Sequence, residues 1–65
     1  MIAADVIDTS PETRARVLAA YHARATEHDR ACAIAAEHPS PETRDARDRA
    51  RAALYDAERA ALRVV

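Results

Sequence analysis

The chain has 65 residues with a formal net charge of −1, and it contains no glycine and one cysteine. A nearly neutral chain offers no bulk attraction to nucleic acid or to anionic lipid. The absence of glycine disfavours β-rich and phosphate-cradling folds, and a single cysteine excludes an internal disulfide. The composition therefore predicts one all-α domain.

Every basic residue is arginine, and alanine is the commonest residue. This usage is typical of a GC-rich genome, such as that of an actinobacterium or its phages. The first five residues carry no basic region of a signal peptide, and no apolar run approaches the length of a membrane span. We expect a cytoplasmic protein without a membrane partner or a cofactor.

Residues 1–9 form a short amino-terminal arm that includes Ile2, Val6 and Ile7. These branched side chains are few in the chain as a whole, so their clustering suggests a packing role within the protein or against a partner. A partly ordered tail is the alternative, and the sequence leaves both open.

The first helix is predicted over about residues 11–37. Ser10 can accept a hydrogen bond from the first turn, and Pro11 at the first helical position loses nothing by lacking an N–H. No glycine or proline follows until Pro39. One face repeats at steps of three and four residues, and it holds the larger side chains Leu18, Tyr21, Ala25, His28 and Cys32.

The second helix is predicted over about residues 41–63, after a turn at residues 38–40. Pro39 disfavours helical geometry at His38, and Ser40 with Pro41 repeats the start signal of the first helix. The same pentapeptide, Ser-Pro-Glu-Thr-Arg, occurs at 10–14 and 40–44. A start signal used twice and a duplicated helix unit both explain it. A loop this short predicts an antiparallel helical hairpin over residues 10–65.

A seam of small residues runs along the second helix at alternating steps of four and three, the spacing of a helix-packing line. Its members are Ala46, Ala50, Ala53, Ala57, Ala60 and Val64. Because nearly all of these residues have only a methyl group as side chain, the partner helix can approach closely. This packing seam, together with the face of the first helix, is the predicted contact between the two helices.

A lone hairpin buries only one stripe of each helix, and here one stripe consists of methyl groups. We therefore predict a homo-oligomer, in the form of a dimer that builds a four-helix bundle. Leu54, Ile34 and Leu62 are candidates for the additional contacts. Ile34 lies off the main face of its helix, either as a scattered exposed residue or as part of a second contact surface.

His28 and Cys32 are four residues apart on one face, which is the spacing of two metal ligands on a helix. No further ligand motif accompanies them, and Cys32 is also explained as a small buried residue. The chain shows no nucleophile with a base and an oxyanion donor. We expect neither a metal site nor an enzyme.

Tyr55, Leu62, Arg51 and Arg59 are predicted on the outer side of the second helix. Aromatic and arginine residues are typical of contact surfaces, although a tyrosine ring can also lie beneath arginine stems. The sequence thus favours a non-enzymatic interaction or assembly module, an adaptor or inhibitor of bacterial or phage type. The alternative is a small DNA-binding regulator that uses Arg44, Arg47 and Arg51, but the interspersed acids disfavour nucleic acid.

Overall fold

The computed structural model of the chain describes residues 10–64, and these form an all-helical hairpin. Helix α1 spans Pro11–Glu37, helix α2 spans Pro41–Val64, and the two pack against each other. The arm predicted at residues 1–9 and the last residue, Val65, lie outside the described residues. The helical hairpin expected from the sequence is confirmed.

Helix α1 begins and ends where local chemistry predicts. The Ser10 hydroxyl accepts a hydrogen bond from the Thr13 amide at 3.3 Å, and Pro11 occupies the first turn. At the other end, the His38 amide donates to the Ile34 carbonyl at 2.8 Å. His38 then turns out of the helix with φ −131° and ψ 70°, because the proline that follows it disfavours the α region.

Helix α2 begins with a reciprocal cap between Ser40 and Thr43. The Thr43 amide donates to the Ser40 hydroxyl at 3.1 Å, and the Ser40 amide donates to the Thr43 hydroxyl at 3.0 Å. The Thr43 hydroxyl also donates to the His38 carbonyl at 2.8 Å. This one side chain therefore joins the end of α1 to the start of α2. No described residue has a positive φ, so the hinge forms without glycine.

The open end of the hairpin is tied by a hydrogen bond between the helices. Arg14 Nε, in the first turn of α1, donates to the Val64 carbonyl at the end of α2 over 3.1 Å. The contact joins the beginning of one helix to the end of the other, so the helices run antiparallel over their full length. It also satisfies one of the terminal carbonyls that a helix leaves without an internal partner.

The core between the helices is thin. Within residues 10–64, the buried apolar residues are Ala35, Ala61 and Val64, which keep 8%, 8% and 6% of their surface exposed, and no side chain is fully buried. Neither described helix is both long and apolar enough to cross a lipid bilayer. The two helices make a single layer, so each helix leaves its remaining sides open to solvent.

Candidate interaction surfaces

The packing seam lies between the two helices over most of its length. On α1, the predicted residues Leu18, Tyr21, Ala25, His28 and Cys32 are all half-buried. On α2, the line ends at Val64, which is buried. Its half-buried members are Ala50, Ala53, Ala57 and Ala60. Neighbouring Ala61 is more deeply buried than the four alanines of the line.

Ala46, the first residue of the predicted seam, is exposed. It lies in a groove of about 270 Å³ between the helices at the hinge end. Because helix periodicity gives the direction of a side chain but not the distance between helices, the seam pattern could not show that this position is open. Ala46 is the exposed member of the predicted seam, whereas its other members are half-buried or buried.

The groove is lined by side chains from both helices, and its surface is mainly apolar. The lining residues are Glu27, Arg30, Ala31 and Ile34 on α1 and Glu42, Thr43 and Ala46 on α2. Ile34 lines the groove and keeps 43% of its surface exposed. Of the two interpretations the sequence leaves open for Ile34, its position beside an open groove favours a second contact surface over an isolated exposed side chain.

His28 and Cys32 contact each other on the inner face of α1. Cys32 Sγ lies 3.5 Å from His28 Nε2, and both residues are half-buried. A closed metal site needs about four ligands. Within the described part of the chain, no group of three or more histidine, cysteine or acidic residues stands close enough to hold a metal ion. The pair acts here as a polar contact within one helix.

The predicted outer surface of α2 is exposed and contains two large apolar side chains. Tyr55 keeps 53% and Leu62 keeps 67% of its surface exposed. Arg51 and Arg59 are exposed on the same side, and Arg59 forms an ion pair with Asp56. About half of the Tyr55 surface is therefore open to solvent.

The three arginines of the alternative DNA-binding stripe differ in their surroundings. Arg47 is half-buried and binds the Asp48 carboxylate through Nε at 3.2 Å and Nη2 at 3.1 Å. The described partner of Asp48 is thus its neighbour Arg47 and not Arg44, which lies one turn before it. Arg44 and Arg51 are exposed. The stripe therefore presents two exposed cations beside a neutralised pair, which is a weak footprint for a phosphate backbone.

Arg14 is a structural residue that the sequence analysis did not single out. Its side chain donates a hydrogen bond to the last turn of α2. The sequence does contain a signal for this position. Arg14 lies four residues before Leu18, so it continues the spacing of three and four residues that marks the inner face of α1.

Comparison of the chain with models of known protein families, with curated protein sequences and with solved structures finds no match. The function is therefore inferred from the geometry of the hairpin itself.

Proposed function

We propose that this protein is a non-enzymatic interaction or assembly module that works as a homodimer. Two hairpins pair into a four-helix bundle, and the surface around Tyr55 and Leu62 binds another protein. An adaptor or inhibitor of bacterial or phage type fits this description. The proposal places the module in the cytoplasm, where a free thiol such as that of Cys32 stays reduced.

The observation that carries the proposal is the thin core. Two alanines and one valine are the apolar residues buried within residues 10–64. Domains of this length seldom gain much net stability from a single core, and a layer of two helices has the smallest core that packing can give. Pairing with a second copy would cover a further side of each helix and nearly double the number of packed faces.

The outer side of α2 supports the second part of the proposal. Tyr55 and Leu62 are seven residues apart, which is two helical turns, so they project in nearly the same direction. Both are more than half exposed, and the exposed Arg51 stands one turn before Tyr55. An aromatic anchor beside an arginine and an aliphatic side chain is the composition that dominates binding energy at protein interfaces.

The decisive test is sedimentation equilibrium over a wide range of protein concentration, with helicity followed by circular dichroism on the same samples. We expect a dimer whose helicity falls as dilution drives it to monomer, because each hairpin depends on the other for part of its packing. A fully helical monomer at every concentration would refute self-association. It would also mean that the inner contact alone holds the hairpin together.

A further inference from the structure

The groove at the hinge end is open, shallow and next to a protruding apolar side chain. Its volume of about 270 Å³ is slightly below the range of about 300–1,000 Å³ found for small-molecule pockets. Its lining includes a small side chain on each helix, Ala31 on α1 and Ala46 on α2. A space of this kind fits a single side chain from another helix better than it fits a ligand.

We propose that the occupant of this groove is Ile34 of a second copy, in a two-fold dimer whose two hinges lie at the same end. This proposal rests on the self-association proposed above and adds the face and the orientation. A two-fold interface uses the same surface of both copies. A projecting side chain next to a groove on that surface can therefore enter the groove of the other copy, and this contact forms twice. Ile34 is the projecting side chain, because it lines the groove and is the large apolar residue there with 43% of its surface exposed.

The distance of each residue from the hinge determines which residues of the two copies come into contact. The contact of Arg14 with Val64 shows that residues equally far from the hinge stand at the same height. A two-fold axis parallel to the helices lays α1 of one copy antiparallel on α2 of the other and preserves these heights. Ile34 then stands over the partner's groove, at the height of Thr43 and Ala46.

The charges on this side of the hairpin match in the same arrangement. Ile34 is followed along its side of α1, towards the open end, by Ala31, Glu27 and Arg24, at steps of three, four and three residues. The line of Ala46 on α2 continues in the same direction through Arg49 and Asp56. Glu27 then stands within two residues of the height of the partner's Arg49, and Arg24 within two residues of the height of the partner's Asp56. An acid on α1 is therefore close to an arginine on the partner's α2, and an arginine is close to an acid.

These charged side chains are available at the surface. Glu27 pairs with Arg24 within α1, and Arg49 pairs with Asp45 within α2 at 3.4 Å, and their side chains are 46% or more exposed. The described ion pairs all lie within one helix. A second copy would bring Glu27 close to the partner's Arg49 and Arg24 close to the partner's Asp56, so these contacts would add to the ion pairs that each side chain already makes within its own helix.

The opposite orientation, with the hinges at opposite ends, leaves the groove poorly filled. It places α1 on the partner's α1, so Ile34 stands near the height of Arg16 and Ala20 of the partner subunit. Charges can still alternate favourably there, and exposed ion pairs contribute little in either case. Burial of an isoleucine side chain contributes more. The apolar contact therefore selects the arrangement in which the hinges meet.

A mixing experiment with two charge variants tests this arrangement. In Glu27→Arg homodimers an arginine would face Arg49, and in Arg49→Glu homodimers a glutamate would face Glu27. We expect each variant alone to dimerise about ten-fold more weakly than the natural chain, since two contacts become repulsive. In an equimolar mixture both contacts are attractive again, so native mass spectrometry with one tagged variant should show mainly the heterodimer.

The control pair is Arg51→Glu and Glu58→Arg, which make the same charge changes on exposed positions away from the groove. Mixing these two should give homodimers and heterodimers in the statistical proportion of one to two to one. Helicity at high concentration verifies that every variant folds.

The outcomes separate this inference from the broader proposal. A chain that stays monomeric at all concentrations would refute self-association and, with it, the arrangement. A dimer in which Glu27→Arg and Arg49→Glu show no preference for each other would refute the arrangement alone, since the orientation with opposite hinges places neither residue against the other.

Discussion

At the scale of single residues, a side-chain hydrogen bond holds the hairpin together at each end. In each case the acceptor is a backbone carbonyl at or just after the end of the other helix. Thr43 bonds to the His38 carbonyl at the hinge, and Arg14 bonds to the Val64 carbonyl at the open end. Both contacts satisfy carbonyl groups outside regular helical pairing. In a molecule with so thin a core, such terminal contacts carry a larger share of the stability than they would in a larger domain.

Replacing Arg14 with Met tests the open-end contact. The Arg14→Met variant keeps a long unbranched side chain but loses both the hydrogen bond and the positive charge near the carboxyl end of α2. We expect the free energy of unfolding to fall by about 0.5–1 kcal/mol in urea titrations followed by circular dichroism. Arg51→Met, at an exposed position with no described ion pair, serves as the control and should change stability by less. Equal losses in the two variants would show that the contact with Val64 contributes nothing.

At the scale of the helices, local signals in the sequence predict the elements well. The serine and proline pairs at residues 10–11 and 40–41 mark the two helix starts, and the structure begins α1 at Pro11 and α2 at Pro41. These signals work because capping depends on neighbours three residues away. The short turn then leaves the chain little choice but an antiparallel hairpin.

The features that the sequence did not predict depend on the separation of the two helices. Ala46 shares the rhythm of Ala50 and Ala53 but is exposed, because the space beside it at the hinge end forms the groove. Ala61 lies next to the seam and not on its line, yet it is among the most buried of the described residues. Periodicity fixes the angle of a side chain around its helix, whereas burial also depends on how closely the second helix approaches.

The closeness of that approach can be measured by enlarging one residue of the packing seam. Ala57 is half-buried between the helices, and Ala57→Leu adds three carbon atoms there. We expect a loss of about 1–3 kcal/mol in the free energy of unfolding, because overpacking pushes the helices apart. Ala52→Leu makes the same change on an exposed position and should stay within about 0.5 kcal/mol of the natural chain.

Urea titrations of both alanine variants should be made at one protein concentration, so that self-association affects them equally. If Ala57→Leu proves as stable as the natural chain, the helices have room at the seam. The alanines would then be explained by helix propensity alone.

At the scale of the whole molecule, the hairpin presents two separate exposed apolar regions. Ile34 lies in the groove between the helices at the hinge end, while Tyr55 and Leu62 lie on the outer side of α2. A two-fold dimer formed over the groove leaves the outer side of α2 free. One chain could therefore build its own bundle and still offer a contact surface to another protein, which the proposed function requires.

Two sets of alanine variants separate the roles of these regions. Dimer formation over the groove would bury the exposed 43% of Ile34 in each chain, which corresponds to about 1 kcal/mol per chain. Ile34→Ala should therefore raise the dimer dissociation constant about thirty-fold in sedimentation equilibrium. The double variant Tyr55→Ala with Leu62→Ala removes more exposed apolar surface, yet its dissociation constant should stay within about three-fold of the natural value, because neither side chain lines the groove. The reverse result would assign self-association to the outer side of α2 and leave the groove for a different partner.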